Sequence, residues 1–584
     1  MKARIRTWTP ATLAITLTIL RKEGLVETID SRCKFDRNQR NLTPGEVALI
    51  LIGATCLRNK RIPLYKIASV YEHMPLSGIL GKQVDLEMLN DHALARGLDA
   101  IYPADREQLV WDISKRFEID YGIVADVLHL DQTKVRTFVI DEPDEESDAA
   151  KPEFGIDKEG RTDFRLYSLN SITDNAGILR YSVPDDGNTT DAEMDLDAIN
   201  FVLDNVEPSR TVVVTDSKGA NAEIMEAADE GGLGIVAKVP VNFSSSIKDR
   251  IGLEMFNEGW GEMSDAKVGH WFHDVTAMTD GPVGEDGTRR PGRELRFVPF
   301  RSEKMMSDRR ASMIRSDLKT AEKKAKELSK KVFGSDADAM LAVGSVQEEL
   351  TSTAYRLKWT LESSEEAEKR GIRGRPPADY VPRTVVKWKV SCEPVVDEEW
   401  ADILADRESL EVIVTNLPRP PDGCDGDHPD GPRYGCTPES VLRLYLGQYR
   451  QEHTFKLMKG HVGLNQVFFK TPERENVILF LISVATLLRN LVNHLFKRDR
   501  GIFTTFEDMV DRWMFTRVRV DGDELDLDGD SDQMFDVMRR LDISEREIVE
   551  SLESNLRSGR RDRCPRTTRS IDGRSHRFLF GASK

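Results

Sequence analysis

The sequence predicts an α/β protein: a helical N-terminal region, a sheet-forming core, and a long interruption within that core. Three observations point there. Residues 1 to about 120 carry helix starts with capping signals and no convincing strand. Two apolar runs, IVADVLHLD and TVVVTD, each read as a short buried strand that ends in an acid. From the first of them to residue 240 the elements run in the order strand, strand, strand, helix, strand, helix, strand, and nearly two hundred residues of different character follow before the next strongly patterned helix.

At 584 residues the chain is long enough for more than one domain. With 39% apolar and 31% charged residues it is globular in composition. Its formal charge of -17 excludes a uniformly basic nucleic-acid coat, so any DNA-binding face is local, with acidity placed elsewhere, as at residues 141–157 and 521–536. The six cysteines are scattered, which fits reduced thiols and a cytoplasmic location. The start MKARIRTWTPATLAITLTIL lacks a small-residue cleavage pattern. Val477 to Val492 is apolar but falls short of a membrane span and contains Arg489 and Asn490, so it reads as a buried core helix with no membrane partner.

In the N-terminal region, Thr43-Pro44-Gly45-Glu46 opens a helix, Pro63-Leu64-Tyr65 starts another, and Leu86–Ala95 and Asp105–Phe117 read as two more. The basic stretch Arg58-Asn59-Lys60-Arg61 suits a solvated turn or a phosphate contact. The core strands are Ile123–Asp131, Asp163–Ile172, Gly177–Ser182, Thr211–Asp216 and Gly234–Pro240, with helices at Asp191–Val206 and near Ala220–Asp229. The interruption has a possible strand at Glu294–Pro299, charged helices at Ser307–Lys331 and Gly344–Lys369, a basic loop at residues 371–377, and strands at Arg383–Ser391 and Leu410–Thr415. Its two long polar helices suggest an αα-hairpin. The tail Leu556–Lys584 is Arg-rich and suits either a phosphate-binding arm or a solvated terminus.

The stretch YLGQYRQEHTFKLMK, residues 445–459, follows a helix start at Thr437-Pro438-Glu439. A single interior Gly447 costs about 1 kcal/mol relative to Ala, so a helix of about six turns is expected. Tyr445, Glu452 and Lys459 are then spaced by seven and share one face. A phenol, a carboxylate and an ammonium in line suit phosphate and metal. With the following KTPERENVILFLISVATLLRNLVNHLFKR, this stretch resembles the insertion-sequence DDE transposases of bacteria and archaea, in the IS-four-like group with a Tyr-Arg-Glu-Lys signature helix. The signature Arg position holds Gln448, a departure; Arg450 and Lys456 stand nearby as alternative cations. The segments NKRIPLY and LNDHALARGLDAI are similar to the N-terminal region of the same group.

The resemblance implies a ribonuclease-H-like catalytic core interrupted by a long insertion. The expected divisions are an N-terminal helical, DNA-end-binding domain at 1–120, the first part of the core at 121–240, the insertion at 241–436, the second part at 437–500 and a C-terminal region at 501–584. It implies catalytic, metal-holding residues Asp131, Asp216 and Glu452, with two Mg²⁺ or Mn²⁺ ions, for which hard oxygen ligands are suited. DNA contacts fall to Tyr445, Arg450, Lys456 and Lys459, the partners are double-stranded element ends and target DNA, and the active complex is a homodimer. The expected activity is DNA cleavage and strand transfer in transposition. The alternatives are a nuclease on the same core without strand transfer, and a DNA-binding derivative with a dead site. Strand-end acids also cap helices, so Asp216 has a local alternative through Ser217 and Lys218. His129 reads as a packed core histidine. Two further patterns lead nowhere: Glu524-x-Asp526-x-Asp528-Gly529 imitates a calcium loop but places Phe535 at its twelfth position, and Cys424, His428 and Cys436 lack a fourth zinc ligand at a standard spacing.

Overall fold

The computed structural model describes residues 6–57, 62–139, 147–240, 259–278, 287–367, 383–460 and 469–552, with positions 141, 143, 381 and 464 and less a few positions within those ranges. The basic stretches 58–61 and 371–377, the Arg-rich tail and Asp528-Gly529 of the calcium-loop imitation lie outside the described residues. The chain forms two compact units. The first contains residues 1–240, 281–291 and 415–584; the second contains 241–280 and 292–414.

The first unit begins with helices α1 (Ala11–Lys22), α2 (Leu25–Arg32), α3 (Pro44–Cys56), α4 (Asp91–Ile101) and α5 (Arg106–Tyr121). Their starts follow the capping chemistry of the sequence. Thr43 and Glu46 form a reciprocal capping box on α3, and Asp105 accepts from the Gln108 N–H on α5. The expected helix at Leu86–Ala95 is displaced: Leu86–Met88 is a single tight turn, and α4 starts only after Asn90, whose side chain accepts from the Ala93 N–H. Pro63 likewise leads only into a short turn at Leu64–Lys66, which runs on into Ile67–Val70.

The sheet of this unit contains β1 (Val127–Thr137), β2 (Arg165–Asp174), β3 (Leu179–Asp185), β4 (Val212–Thr215) and β5 (Gly234–Lys238). Helix α6 (Asp191–Asn205) links β3 to β4, and α7 (Ala222–Glu230) links β4 to β5. The spatial order is β3-β2-β1-β4-β5, in a large mixed sheet. The β1–β2 and β2–β3 pairs are antiparallel, while β1–β4 and β4–β5 are parallel. The sequence order of strands and helices is the one expected.

One expectation fails here. The first acid-bearing strand does not end at Asp131 but continues to Thr137, eleven residues in all. Its two edges have different lengths of partner. Along β4 the ladder covers only Val127–His129, whereas along β2 it runs from Leu128 to Thr137. Asp131 therefore sits in mid-strand, two residues beyond the end of the parallel ladder.

The second unit has short strands β6 (His270–Phe272) and β7 (Val275–Met278), both paired with β8 (Glu294–Ser302). Helix α8 (Glu303–Ser329) follows, then α9 (Asp336–Glu349). The helix expected over 344–369 ends at Glu349. Residues Tyr355–Ala367 are strand β9, paired along its whole length with β10 (Thr384–Val396). Tyr355, Leu357, Trp359 and Leu361 alternate with polar residues, a period of two that no helix face can use. The interruption is thus a long β-hairpin with helices, not an αα-hairpin alone. Its core gathers Ala321, Ala325 and Leu328 of α8, Val343 of α9, Leu357 and Val390 of the hairpin, and Leu404 of α10 (Glu398–Glu408).

Back in the first unit, the stretch expected to be one helix is two: α11 (Pro438–Leu446) and α12 (Tyr449–Gly460). The long α13 (Pro472–Arg498) packs against α3, α4, α5 and β3 and is the core helix that the sequence indicated. By length and composition it would suffice to cross a membrane, but 94% of its most apolar window is buried inside the protein. Arg489 survives in this core because its guanidinium donates to the Glu507 carboxylate at 2.7 Å and to the Cys56 carbonyl at 2.9 Å, over the face of Phe506. A buried charge is tolerable only when paired in this way.

Candidate active site

Parallel pairing sets the first two acids. Val127, Leu128 and His129 of β1 stand level with Val212, Val213 and Val214 of β4. Carried two residues past the end of that ladder, the same register leads to Asp131 on one chain segment and Asp216 on the other. Alternate residues of a strand share a face, so Asp131 stands on the His129 side of β1. Asp216 follows the last residue of β4, and its Oδ1 accepts the Lys218 N–H at 2.9 Å, the local role open to a strand-end acid. Asp131 Oδ1 accepts the Gln132 N–H at 2.8 Å.

The face is identified by what touches its neighbours. His129 lies against Gly447, and the Thr133 hydroxyl accepts from Lys459 Nζ. Both are on the side of β1 that Asp131 shares, since alternate residues of a strand share a face. Helix α12 therefore runs across Asp131, anchored on either side of it. The Gln448 amide adds a bond to the Leu130 carbonyl at 2.9 Å. Glu452 lies between the two anchor points and is exposed. Among the described residues no three His, Cys, Asp or Glu side chains are already drawn into an ion-sized cage. The structure thus lays the helix of Glu452 over the face of β1 that carries Asp131, without closing Asp131, Asp216 and Glu452 into a cage.

The break between α11 and α12 corrects the heptad reading. Tyr445 is on α11, while Glu452 and Lys459 are on α12, so the three do not share one continuous helical face. Gly447 stands at the break. A Cβ at that position would lie 2.7 Å from His129 Cε1, closer than two carbons can approach. Only glycine lets the corner seat on the strand. Arg450 lies over the Tyr449 ring at 5.0 Å and donates to the Gly447 carbonyl at 3.3 Å, so it braces the corner. Lys456 is exposed on α12, and Tyr445 is half-buried. His129 is a packed core histidine, as expected. Burial, and then the Arg450 charge, lower its pKa to about 3, against a smaller opposing hydrogen bond from Gln448.

Sequence reasoning missed Asp195. This α6 carboxylate is 1% exposed, on the stripe shared by Ala198, Ile199 and Val202. Its Oδ1 accepts from Gln132 Nε2 at 2.5 Å, and the same amide donates to the Asp191 carbonyl at 2.8 Å. Burial, then the neighbouring charge of Asp216, push its pKa up to about 8; Gln132 opposes the shift and Asp131 adds to it. The field of both acids at one carboxylate places all three in one neighbourhood. An acid at positions i, i+3, i+4, i+7 of an otherwise apolar helical stripe was the available signal.

The Cys424–Cys436 loop is organised by other means. The His428 ring faces Tyr434 at 5.7 Å, and Asp427 accepts from the Thr437 N–H and the Ser440 hydroxyl at the start of α11.

Residues 11–115, the N-terminal helices, match a family described as a domain of unknown function (DUF4277). No curated protein matches the chain. Among solved structures, the chain is similar to a piggyBac transposase seen in a synaptic complex with hairpin DNA. The likeness covers 95% of this chain and 88% of that one, at 8% identity and a TM-score of 0.35. At that score the two chains share too little for the likeness to bear on fold or function.

Proposed function

We propose that the chain is a metal-dependent DNA transposase of the DDE type, built on a ribonuclease-H-like core, with Asp131, Asp216 and Glu452 as its catalytic carboxylates. The observation that supports this reading is that the β1–β4 register, carried two residues past the end of its parallel ladder, leads to Asp131 and Asp216, and that α12 crosses the face of β1 on which Asp131 stands. The sheet order β3-β2-β1-β4-β5 supports the assignment of the core. The donor set is all carboxylate oxygen, which fits two Mg²⁺ or Mn²⁺ ions rather than zinc. Bound there, such an ion pair supplies water activation and stabilisation of the leaving 3′ oxygen.

The chain's own residues do the rest. Asp131 is held by its strand's pairing with β2 and by the Gln132 N–H, and Asp216 by the Lys218 N–H, so an oxygen of each is oriented before any ligand arrives. Glu452 completes the set from α12. Lys459, on the same helix, holds a phosphate as a point charge, with the exposed Lys456 beside it; Tyr445 and Arg450 approach from the α11–α12 corner. The partners are double-stranded element ends and target DNA, in a homodimeric complex. A nuclease on the same core is the second reading, because hydrolysis without strand transfer needs the same three acids.

The test uses a plasmid carrying the gene with its natural flanks, incubated with purified protein and Mg²⁺. Nicks at the boundaries of the element, followed by joining of the freed 3′ ends to a second plasmid, support the transposase. Cleavage without joining selects the nuclease. Wild-type cleavage by Asp131→Asn, Asp216→Asn or Glu452→Gln removes that residue from the site.

A further inference from the structure

Gln132 and Asp131 are consecutive on β1 and therefore face opposite sides of the sheet. Asp131 faces α12. Gln132 faces α6, where its amide donates to Asp195 Oδ1 and to the Asp191 carbonyl. The backbone N–H of the same Gln132 holds the Asp131 carboxylate. Gln132 is thus a joint: its side chain is fixed from behind the sheet, and its main chain orients the acid in front. Asp195 is the only carboxylate that grips this joint among the described residues. It is 1% exposed and lies beside the Thr215 hydroxyl. Burying a carboxylate is costly even when it is hydrogen-bonded. For fold alone, an apolar residue would serve the stripe of Ala198, Ile199 and Val202 better.

We propose that Asp195 is a positioning residue. It acts through the Gln132 amide to fix the peptide that orients Asp131, and so sets the affinity of the Asp131–Asp216 pair for a divalent cation. This rests on the metal-dependent reading above. Groups in this position behind a metal ligand typically change metal affinity 10- to 100-fold when removed.

The experiment measures Mn²⁺ binding directly, by titration calorimetry and by the loss of the free-ion paramagnetic signal, with no DNA present. Asp131→Asn is the control for the site, and circular dichroism checks folding of each variant. Asp195→Ala is expected to weaken Mn²⁺ binding about 10-fold or more. Asp195→Asn keeps an oxygen that can accept from Gln132 and is expected to stay within about three-fold of wild type, since the hydrogen bond survives. Gln132→Met keeps the volume, leaves Asp195 in place and is expected to match Asp195→Ala, which preserves the test if the alanine variant does not fold. Asp195→Ala with Gln132→Met is expected to be no weaker than either alone, because both cut the same link.

Wild-type binding by Asp195→Ala or Gln132→Met, with Asp131→Asn still defective, overturns this inference and leaves the active-site reading standing. Additive losses in the double variant, or Asp195→Asn as weak as Asp195→Ala, overturn it too. If the wild type binds no Mn²⁺ and Asp131→Asn changes nothing, the metal reading falls and takes this inference with it.

Discussion

Gly447→Ala tests the corner that seats α12. The backbone there has φ -63° and ψ -14°, which any residue can adopt, so the substitution meets no conformational penalty. Space alone opposes it. The new Cβ would stand 2.7 Å from His129 Cε1 and 3.0 Å from Nε2. Carbons in contact prefer roughly 3.5–4.0 Å, so the overlap is about 1 Å. Arg450 Nη1, at 2.6 Å, is the end of a flexible side chain and can swing away. The His129 ring is 1% exposed within the sheet and cannot. Overpacking of this kind costs about 1–3 kcal/mol. Alanine recovers about 1 kcal/mol of helix propensity, which also favours straightening α11 into α12. The net expectation is a destabilisation of about 0–2 kcal/mol in urea unfolding, with a much larger loss of strand cleavage. A shift of about 1 Å at Glu452 is enough for roughly 100-fold in rate. His129→Ala in the same chain removes the obstacle and is expected to restore part of the cleavage. Cleavage at the wild-type rate by Gly447→Ala would refute the claim that this contact sets the position of Glu452.

Three further outcomes are expected. Asp131→Asn, Asp216→Asn and Glu452→Gln each abolish cleavage of flanking DNA while gel-shift binding of the same DNA survives, because charge is lost at nearly constant shape. Lys459→Ala weakens binding for all DNA sequences alike and lowers the salt slope by about one unit, read from titrations at several salt concentrations. Glu23→Gln changes how stability responds to alkali. Burial, then Asp120, push the Glu23 carboxyl up to about 8, so the folded state holds a proton that the unfolded state releases above about 4. That contribution is present at acid pH and is lost as pH rises towards 8, on the order of 1 kcal/mol per unit. Chemical denaturation at pH 5 and pH 8.5 should show the variant gaining much more on wild type at the higher value.

Local chemistry was the legible part. The Thr43–Glu46 capping box, the Asp105 cap and the strand–helix order of the core are short-range effects, and the sequence carries them whole. What escaped depends on partners distant in the chain. The length of β1 is set by β2, which pairs it as far as Thr137 after β4 has ended. The strand at Tyr355–Ala367 was hidden by its exposed glutamates, which read as helix until β10 supplies the other half of the ladder. Gly447 looked like a tolerable interior glycine because nothing local reveals His129 beneath it. In the candidate site, the acids were visible as types in sequence, and the register that leads to two of them was not. Asp195 was passed over because a carboxylate on an apolar stripe is easily assigned to solvent.

The sheet order has a consequence for synthesis. Every strand from β1 to β5 is complete by Lys238, so Asp131 and Asp216 can be in place while the ribosome is still reading the second unit. Glu452 emerges more than two hundred residues after Asp216. At about 5–20 residues per second, that is a delay of roughly 10–50 s. Through that interval the nascent chain carries Asp131 and Asp216 without Glu452, close to the very gene that encodes it wherever transcription and translation are coupled. On the function proposed above, cutting must wait until α12 has docked over β1.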